Sequence, residues 1–108
     1  MIAEWSEQQL RDRMSGGSEP FALFVFTPLC GTCKAGARML EVVQHMRPAW
    51  PIAQANVNYM PAFVREWQIE SIPCLLVIHQ GRPVLKTYAM RSVDHLLRLL
   101  TPLLIEEG

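Results

Sequence analysis

The sequence predicts a single α/β domain over residues 1–108, with a central mixed β-sheet and helices on both of its faces. Two apolar runs, residues 21–26 and 74–79, have the composition of strands that are buried on both faces. Segments with helical periodicity alternate with such strands, which predicts parallel pairing. A glycine turn after the second run predicts a hairpin, which adds an antiparallel edge.

The N-terminal part of the chain predicts a helix and then a buried strand. Ser6 and Gln9 have the spacing of a capping box and predict a short helix over residues 7–14. Residues 15–20 are rich in serine and glycine and predict a loop. The continuously apolar residues 21–26 predict the strand.

The next segment predicts a long amphipathic helix that begins at Cys30 and ends at Pro48 and Pro51. The side chains expected to face the core are Ala35, Met39, Val42, Val43 and Met46. Those expected on the solvated face are Lys34, Arg38, Glu41 and His45. Residues 52–57 alternate weakly between apolar and polar positions and predict a strand.

The C-terminal part predicts a short helix, a hairpin and a last helix. The short helix begins at Pro61 and runs to about residue 67. Residues 74–79 and 83–89 predict the two strands of the hairpin, joined by a turn at residues 80–82. Ser92 predicts the cap of the last helix. The apolar stripe of that helix contains Val93, Leu96, Leu97 and Leu100.

Composition and charge limit the class of protein. Ten basic and ten acidic residues balance, so nothing favours binding to nucleic acid or to an anionic membrane surface. The apolar runs are too short to cross a bilayer, and no basic segment precedes an apolar one at the N-terminus. We therefore expect a cytoplasmic protein.

Two of the three cysteines, Cys30 and Cys33, form a Cys-x-x-Cys pair at the point where a buried strand is followed by a helix. Backbone N–H groups and the positive end of the helix dipole meet there, and both stabilise a thiolate. Thiolate is the nucleophile in disulfide exchange. Cys33 lies one turn further on, close enough to form a disulfide but covered by the helix. This placement predicts that Cys30 attacks and Cys33 resolves.

Two other interpretations of the cysteines remain open. The pair is also compatible with two small buried residues. A metal is the second alternative, because Cys30, Cys33 and Cys74 offer three thiols and one of His45, His79 and His95 is available as a fourth ligand. The absence of a second Cys-x-x-Cys favours a chain without metal or other cofactor. Cys74 alone is typical of a small apolar residue in a buried strand.

The segments VFTPLCGTCK and SIPCLLVIHQG, with the spacing between them, resemble the thioredoxin family over nearly the whole chain. The resemblance implies the thioredoxin fold, a first strand within residues 2–5 and a cis peptide bond before Pro73. It also implies a substrate-binding surface formed by Gly31, Thr32, Ile72 and Pro73, in which the backbone of Ile72 pairs with an extended segment of the partner.

Several positions differ from the thioredoxin pattern. The buried aspartate that helps to move the proton of the resolving cysteine is matched by Phe24, and its neighbouring lysine by Gln54. Leu29 stands where the family has a tryptophan before the first cysteine. The other two differences are Ala89, in place of a glycine on the docking surface, and Arg38, in place of a helix-kinking proline.

The resemblance implies a thiol–disulfide oxidoreductase that reduces disulfides of proteins or small thiols through Cys30 and Cys33. A separate dithiol reductase would recycle the oxidised pair, and we expect a monomer. The loss of the buried aspartate and lysine leaves a second class open, a binding or adaptor module with little turnover.

Overall fold

The computed structural model describes residues 2–17 and 19–104, which form a five-stranded β-sheet with helices on both faces. The elements are β1 (Ala3–Glu4), α1 (Glu7–Gly16), β2 (Phe21–Phe26), α2 (Gly31–Met46), β3 (Ile52–Asn56), α3 (Pro61–Glu66), β4 (Cys74–His79), β5 (Arg82–Thr87) and α4 (Val93–Leu104). The α/β class and the mixed sheet are confirmed. Within the described residues, no helix is both long and apolar enough to span a bilayer.

The strand order in the sheet is β1-β3-β2-β4-β5. Strands β1, β3 and β2 are parallel, whereas β4 pairs antiparallel with β2 and β5 antiparallel with β4. The prediction of parallel pairing across every helix is therefore wrong for β4. Residues 57–73 form a 3-10 turn, α3 and a further segment, and they do not run back along the sheet as a parallel crossover would. The chain therefore enters β4 from the end of the sheet at which β3 finished.

The two faces of the sheet bury two separate apolar clusters. Helices α1 and α3 cover one face, where Leu10 and Phe63 pack on the odd-numbered residues of β2. Helices α2 and α4 cover the other face, where Leu40 and Leu100 pack on Ala22 and Phe24. Strand β2 is buried on both sides because side chains alternate along a strand, which explains its continuous apolar sequence.

Local hydrogen bonds determine where several elements begin and end. The capping box of Ser6 and Gln9 is present, although α1 continues two residues beyond the predicted end, to Gly16. Strand β3 ends at Asn56, one residue early, because its side chain accepts a hydrogen bond from the N–H of Asn58 and starts a 3-10 turn. Strand β5 ends at Thr87, two residues early, where the hydroxyl accepts a bond from the Ala89 N–H.

Helix α2 buries only part of the face that the sequence predicts. Val43 is buried and Met39 packs half-buried against the core, as predicted, whereas Ala35 is exposed. Val42 and Met46 are 47% and 45% exposed. The buried residues are Cys33, Gly36, Leu40 and Val43. Gly36 makes this face possible, since a Cβ at this position would lie 3.1 Å from two ring atoms of Phe24. The apolar periodicity did not predict this face, because a periodicity is based on large apolar side chains. The closest approach of α2 to the sheet depends instead on a glycine. The stripe of α4 is confirmed, with Ser92 as its cap.

We expect Gly36→Val to destabilise the fold by about 2 kcal/mol, because the added methyl groups would overlap the Phe24 ring in a fully packed region. Ala35→Val is the matched control: Ala35 is the exposed neighbour of Gly36 on the same helix, so its substitution should change stability by only about 0.5 kcal/mol. Urea unfolding of both variants measures the difference. Equal stabilities would show that α2 does not depend on a close approach at Gly36.

Candidate active site

The Cys-x-x-Cys pair lies at the end of the sheet where β2 finishes and β4 begins. Residues 27–30 connect β2 to α2. On the neighbouring strand, Cys74 is the register partner of Val25. Ile72 and Pro73, which precede Cys74, are therefore at the same end of the sheet as the connection that contains Cys30. The Ile72–Pro73 peptide bond is cis, and both side chains are half-buried.

Cys30 is the N-cap residue of α2, and its sulfur is surrounded by hydrogen-bond donors. The backbone N–H of Cys33 donates to the Cys30 Sγ at 3.1 Å, and the Thr32 Oγ1 lies 3.2 Å from the same sulfur. Hydrogen bonds from the Cys33 side chain and from the Thr32 hydroxyl lower the pKa of Cys30 from its ordinary value, and the two backbone N–H groups act in the same direction. Cys30 is only half-buried, so its thiolate is accessible to a partner.

Cys33 has the opposite environment, one helical turn away. Its side chain is buried among the apolar residues between α2 and the sheet. Burial raises the pKa of the Cys33 thiol to about 11, and its hydrogen bond to the Cys30 sulfur adds to the increase, whereas a backbone hydrogen bond with Thr27 opposes it. One thiol is therefore disposed to ionise and the other to remain protonated.

Gly31 and Thr32, between the two cysteines, are exposed. Leu29, which precedes Cys30, is 96% exposed and presents an apolar side chain to solvent beside the sulfur. The structure thus brings Cys30, Thr32 and Cys33 into direct contact, with Leu29 and Gly31 at their exposed side.

Cys74 is not part of this group. Its side chain belongs to the cluster covered by α1 and α3, whereas Cys33 belongs to the cluster on the opposite face of the sheet. Burial raises the pKa of Cys74 to about 11, partly offset by the positive charge of Lys86. The structure does not bring the three thiols together. In residues 2–17 and 19–104, no group of three or more His, Cys, Asp or Glu side chains is arranged to hold a metal ion.

A cavity of about 230 Å³ adjoins Cys33. Its lining is formed by Glu4, Phe24, Phe26, Thr27, Pro28, Cys33, Lys34, Ala37 and Gln54. Three of these residues form a row across the sheet, since Glu4 on β1 pairs with Gln54 on β3 and Gln54 with Phe24 on β2. Sequence reasoning did not include Glu4, because only the register of the two-residue strand β1 places it there.

Comparisons with known proteins agree with this architecture. The family model for thioredoxin matches residues 2–101. The thioredoxin-like protein YusE of Bacillus subtilis is 44% identical over 80 residues, which are 74% of this chain and 76% of that protein. A bifunctional thioredoxin reductase/thioredoxin of Mycobacterium leprae is 29% identical over 85 residues, which are 78% of this chain but 19% of that longer protein.

The crystal structure of chloroplastic thioredoxin z superposes with a TM-score of 0.80 at 20% identity, covering 94% of this chain and 93% of that one. This likeness confirms the thioredoxin fold. With the family model and the YusE match, it establishes that the chain is a member of the thioredoxin family.

Proposed function

We propose that the protein is a thiol–disulfide oxidoreductase in which Cys30 is the nucleophile and Cys33 the resolving thiol. The observation that carries the proposal is the contrast between the two sulfurs of one helical turn. Cys30 is accessible and has a lowered pKa, whereas Cys33 is buried and has a pKa of about 11. A nucleophile needs to be accessible and ionised, as the lowered pKa of Cys30 allows. A buried, protonated thiol such as Cys33 suits the second step, in which it reacts only after the mixed disulfide has formed.

The reaction proceeds in two exchange steps. The Cys30 thiolate attacks one sulfur of the partner's disulfide, forming a mixed disulfide and releasing the first partner thiolate. Cys33 then loses its proton and attacks the Cys30 sulfur, which releases the second partner thiolate and leaves a Cys30–Cys33 disulfide. Two electrons pass from the dithiol to the partner, and a second dithiol returns the pair to the reduced state.

The partner would dock at the exposed surface around Cys30. Leu29 and Thr32 would offer contacts beside the sulfur, and the backbone of Ile72, which precedes the cis bond to Pro73, would pair with an extended segment of a protein substrate. A reductase is the natural electron donor, and the relative from Mycobacterium leprae, whose name joins thioredoxin reductase and thioredoxin in one chain, supports this assignment. The proposal includes a monomer that acts in the cytoplasm as one domain over residues 1–108.

A binding or adaptor module is the second candidate, and one observation favours it. Phe24 and Gln54 leave the β2 and β3 positions beside Cys33 without an ionisable side chain. Such a protein would form mixed disulfides or bind partners but would turn over slowly. The two candidates differ in turnover, not in the ability of Cys30 to react once.

Insulin reduction with dithiothreitol as the electron donor tests the proposal. We expect the wild-type protein to catalyse it, Cys30→Ser to be inactive, and Cys33→Ser to accumulate a mixed disulfide with the substrate. Cys74→Ala is the matched control and should retain activity, since Cys74 faces the other side of the sheet. A wild-type protein no faster than dithiothreitol alone would favour the adaptor instead.

Alkylation should identify Cys30 as the reactive thiol. At pH 7, a thiol with a pKa of about 11 is ionised in roughly one molecule in ten thousand, and both Cys33 and Cys74 are also buried. In the reduced protein, iodoacetamide near neutral pH is expected to modify Cys30 well before the other two. Peptide mass mapping over a time course measures the order, and modification of Cys74 first would contradict the site assignment.

Substitutions at Thr32 should change the pKa and the reduction potential of the pair together. Thr32→Ser keeps a hydroxyl near the Cys30 sulfur, Thr32→Val removes it, and Thr32→Pro removes the backbone N–H as well. Each lost donor raises the pKa of Cys30, because both the hydroxyl and the N–H stabilise the thiolate. A less stable thiolate makes the reduced state less favourable, so the potential should fall by roughly 10–30 mV per donor.

Thiolate absorbance and a glutathione redox titration measure the two quantities in one preparation of each variant. Thr32→Ser serves as the control and should resemble the wild type. A potential that stays constant or rises from Thr32→Val to Thr32→Pro would show that the residues between the cysteines do not tune the pair through these hydrogen bonds.

A further inference from the structure

We propose that Glu4 accepts the proton of Cys33 during the resolving step, through water in the cavity that joins the two side chains. The inference rests on the proposed dithiol chemistry and adds a residue from the outermost strand of the sheet. The chain has no acid at the β2 position beside Cys33, where Phe24 stands, yet Cys33 must lose a proton to attack. The cavity provides the route from this thiol to a carboxylate.

The cavity has the size that a water-mediated transfer needs, and a few polar side chains interrupt a lining that is largely apolar. Its volume is about 230 Å³, whereas one water molecule takes up about 30 Å³ in the liquid. Cys33, Thr27, Gln54 and Glu4 all line it and offer polar atoms to bound water. Phe24 forms part of the wall and separates this space from the core. A short chain of water molecules therefore fits between the buried thiol and the exposed edge of the sheet.

Glu4 is held at a defined place although β1 has only two residues. The Trp5 N–H donates to the Gln54 backbone oxygen at 2.8 Å, and the Gln54 side-chain amide donates to the Ile2 oxygen at 3.0 Å. These bonds fix β1 on β3 on both sides of Glu4. Paired residues share a face of the sheet, so Glu4 lies on the face that α2 covers, as Gln54 and Phe24 do.

The charge environment of Cys33 changes when the mixed disulfide forms. In the reduced protein, the hydrogen bond to Cys30 and the negative charge of Cys30 both hold the proton on Cys33. Once Cys30 is bonded to a partner sulfur, these two effects disappear and burial is the remaining obstacle. A positioned base lowers the barrier because it takes the proton while Cys33 attacks, so that no free thiolate has to form in the buried site. The ionisable side chains of the cavity lining are Glu4 on β1 and, from α2, Cys33 and Lys34, whose positive charge favours the thiolate.

The step balances as follows in the mixed disulfide. The Cys33 sulfur attacks the Cys30 sulfur, the new S–S bond forms, and the bond from Cys30 to the partner breaks with release of a partner thiolate. The proton of Cys33 passes through water to the Glu4 carboxylate. Glu4 is exposed, so it returns the proton to bulk water before the next cycle.

The test measures the two steps separately with dithiobis(nitrobenzoate), which releases one coloured thiolate when Cys30 attacks and a second when Cys33 resolves. The reagent is kept below one equivalent, so that Cys33 and not a second reagent molecule completes the reaction. Glu4→Gln is expected to leave the first release unchanged and to slow the second about tenfold near neutral pH. Glu41→Gln, which removes the same charge from the exposed face of α2 outside this cavity, is the control and should match the wild type.

The direction of the change distinguishes proton transfer from a simple charge effect. Removing a negative charge near Cys33 would by itself favour the thiolate and accelerate the second release, whereas loss of the proton acceptor slows it. The pH profile adds a second criterion. The rates of Glu4→Gln and wild type should converge at alkaline pH, where hydroxide takes the proton of Cys33 directly.

A double variant moves the carboxylate one strand inward. Glu4→Gln combined with Gln54→Glu exchanges the two side chains within the cavity lining and should restore the second release to at least half of the wild-type rate. Glu4→Gln combined with Gln54→Met also lacks the amide that donates to the Ile2 oxygen, so it is the matched control and should stay slow. A second release that is unchanged or faster in Glu4→Gln, or equal slowing of both releases, would overturn the role of Glu4. A wild-type protein that releases only one thiolate per molecule of reagent consumed would instead contradict the proposed dithiol function.

Discussion

The contact of Cys33 with the sulfur of Cys30, through its thiol and its backbone N–H, is the interaction on which the proposed chemistry of this protein depends. It exists because β2 ends at Phe26 and a four-residue connection places Cys30 as the N-cap of α2, where backbone donors have no partner within the helix. The same geometry forces the second cysteine into the helix, one turn later and on the buried side. A thiolate that is accessible and a thiol that is covered are therefore two consequences of one helix start.

The burial of Cys33 is in turn a condition for packing α2 on the sheet. The buried stripe of the helix continues from Cys33 to Gly36, and Gly36 contacts the ring of Phe24. An apolar ring at this position gains the free energy of removing its surface from water, about 25 cal/mol per Å², and avoids the cost of a buried charge. It also leaves Cys33, the proposed resolving thiol, without an adjacent proton acceptor. Packing thus favours an apolar side chain at residue 24, whereas proton transfer would favour an acidic one.

Local chemistry was sufficient to predict most elements of the fold. The features that depend on long-range geometry could not be predicted from it. The caps at Ser6 and Ser92 and the strand over residues 21–26 follow from short stretches of sequence whose partners are a few residues away. The direction of β4 depends on the end of the sheet to which residues 57–73 return the chain, which no local periodicity reports. The buried face of α2 was predicted only in part, with Val43 and Met39 correct, because two adjacent stripes of that helix are compatible with the core and the sheet below selects the one that contains Gly36.

The same distinction applies to the candidate site. The spacing of Cys30 and Cys33 identifies the pair from sequence, whereas Glu4 and Gln54 become neighbours of Cys33 only through the register of three strands. On the proposed transfer route, the carboxylate has not been lost with the aspartate of the family but stands two strands away, at an exposed edge. An exposed carboxylate pays no desolvation penalty and exchanges protons directly with water. The chain would then keep an aromatic side chain in its core and a proton acceptor for its buried thiol, with the cavity as the connection between them.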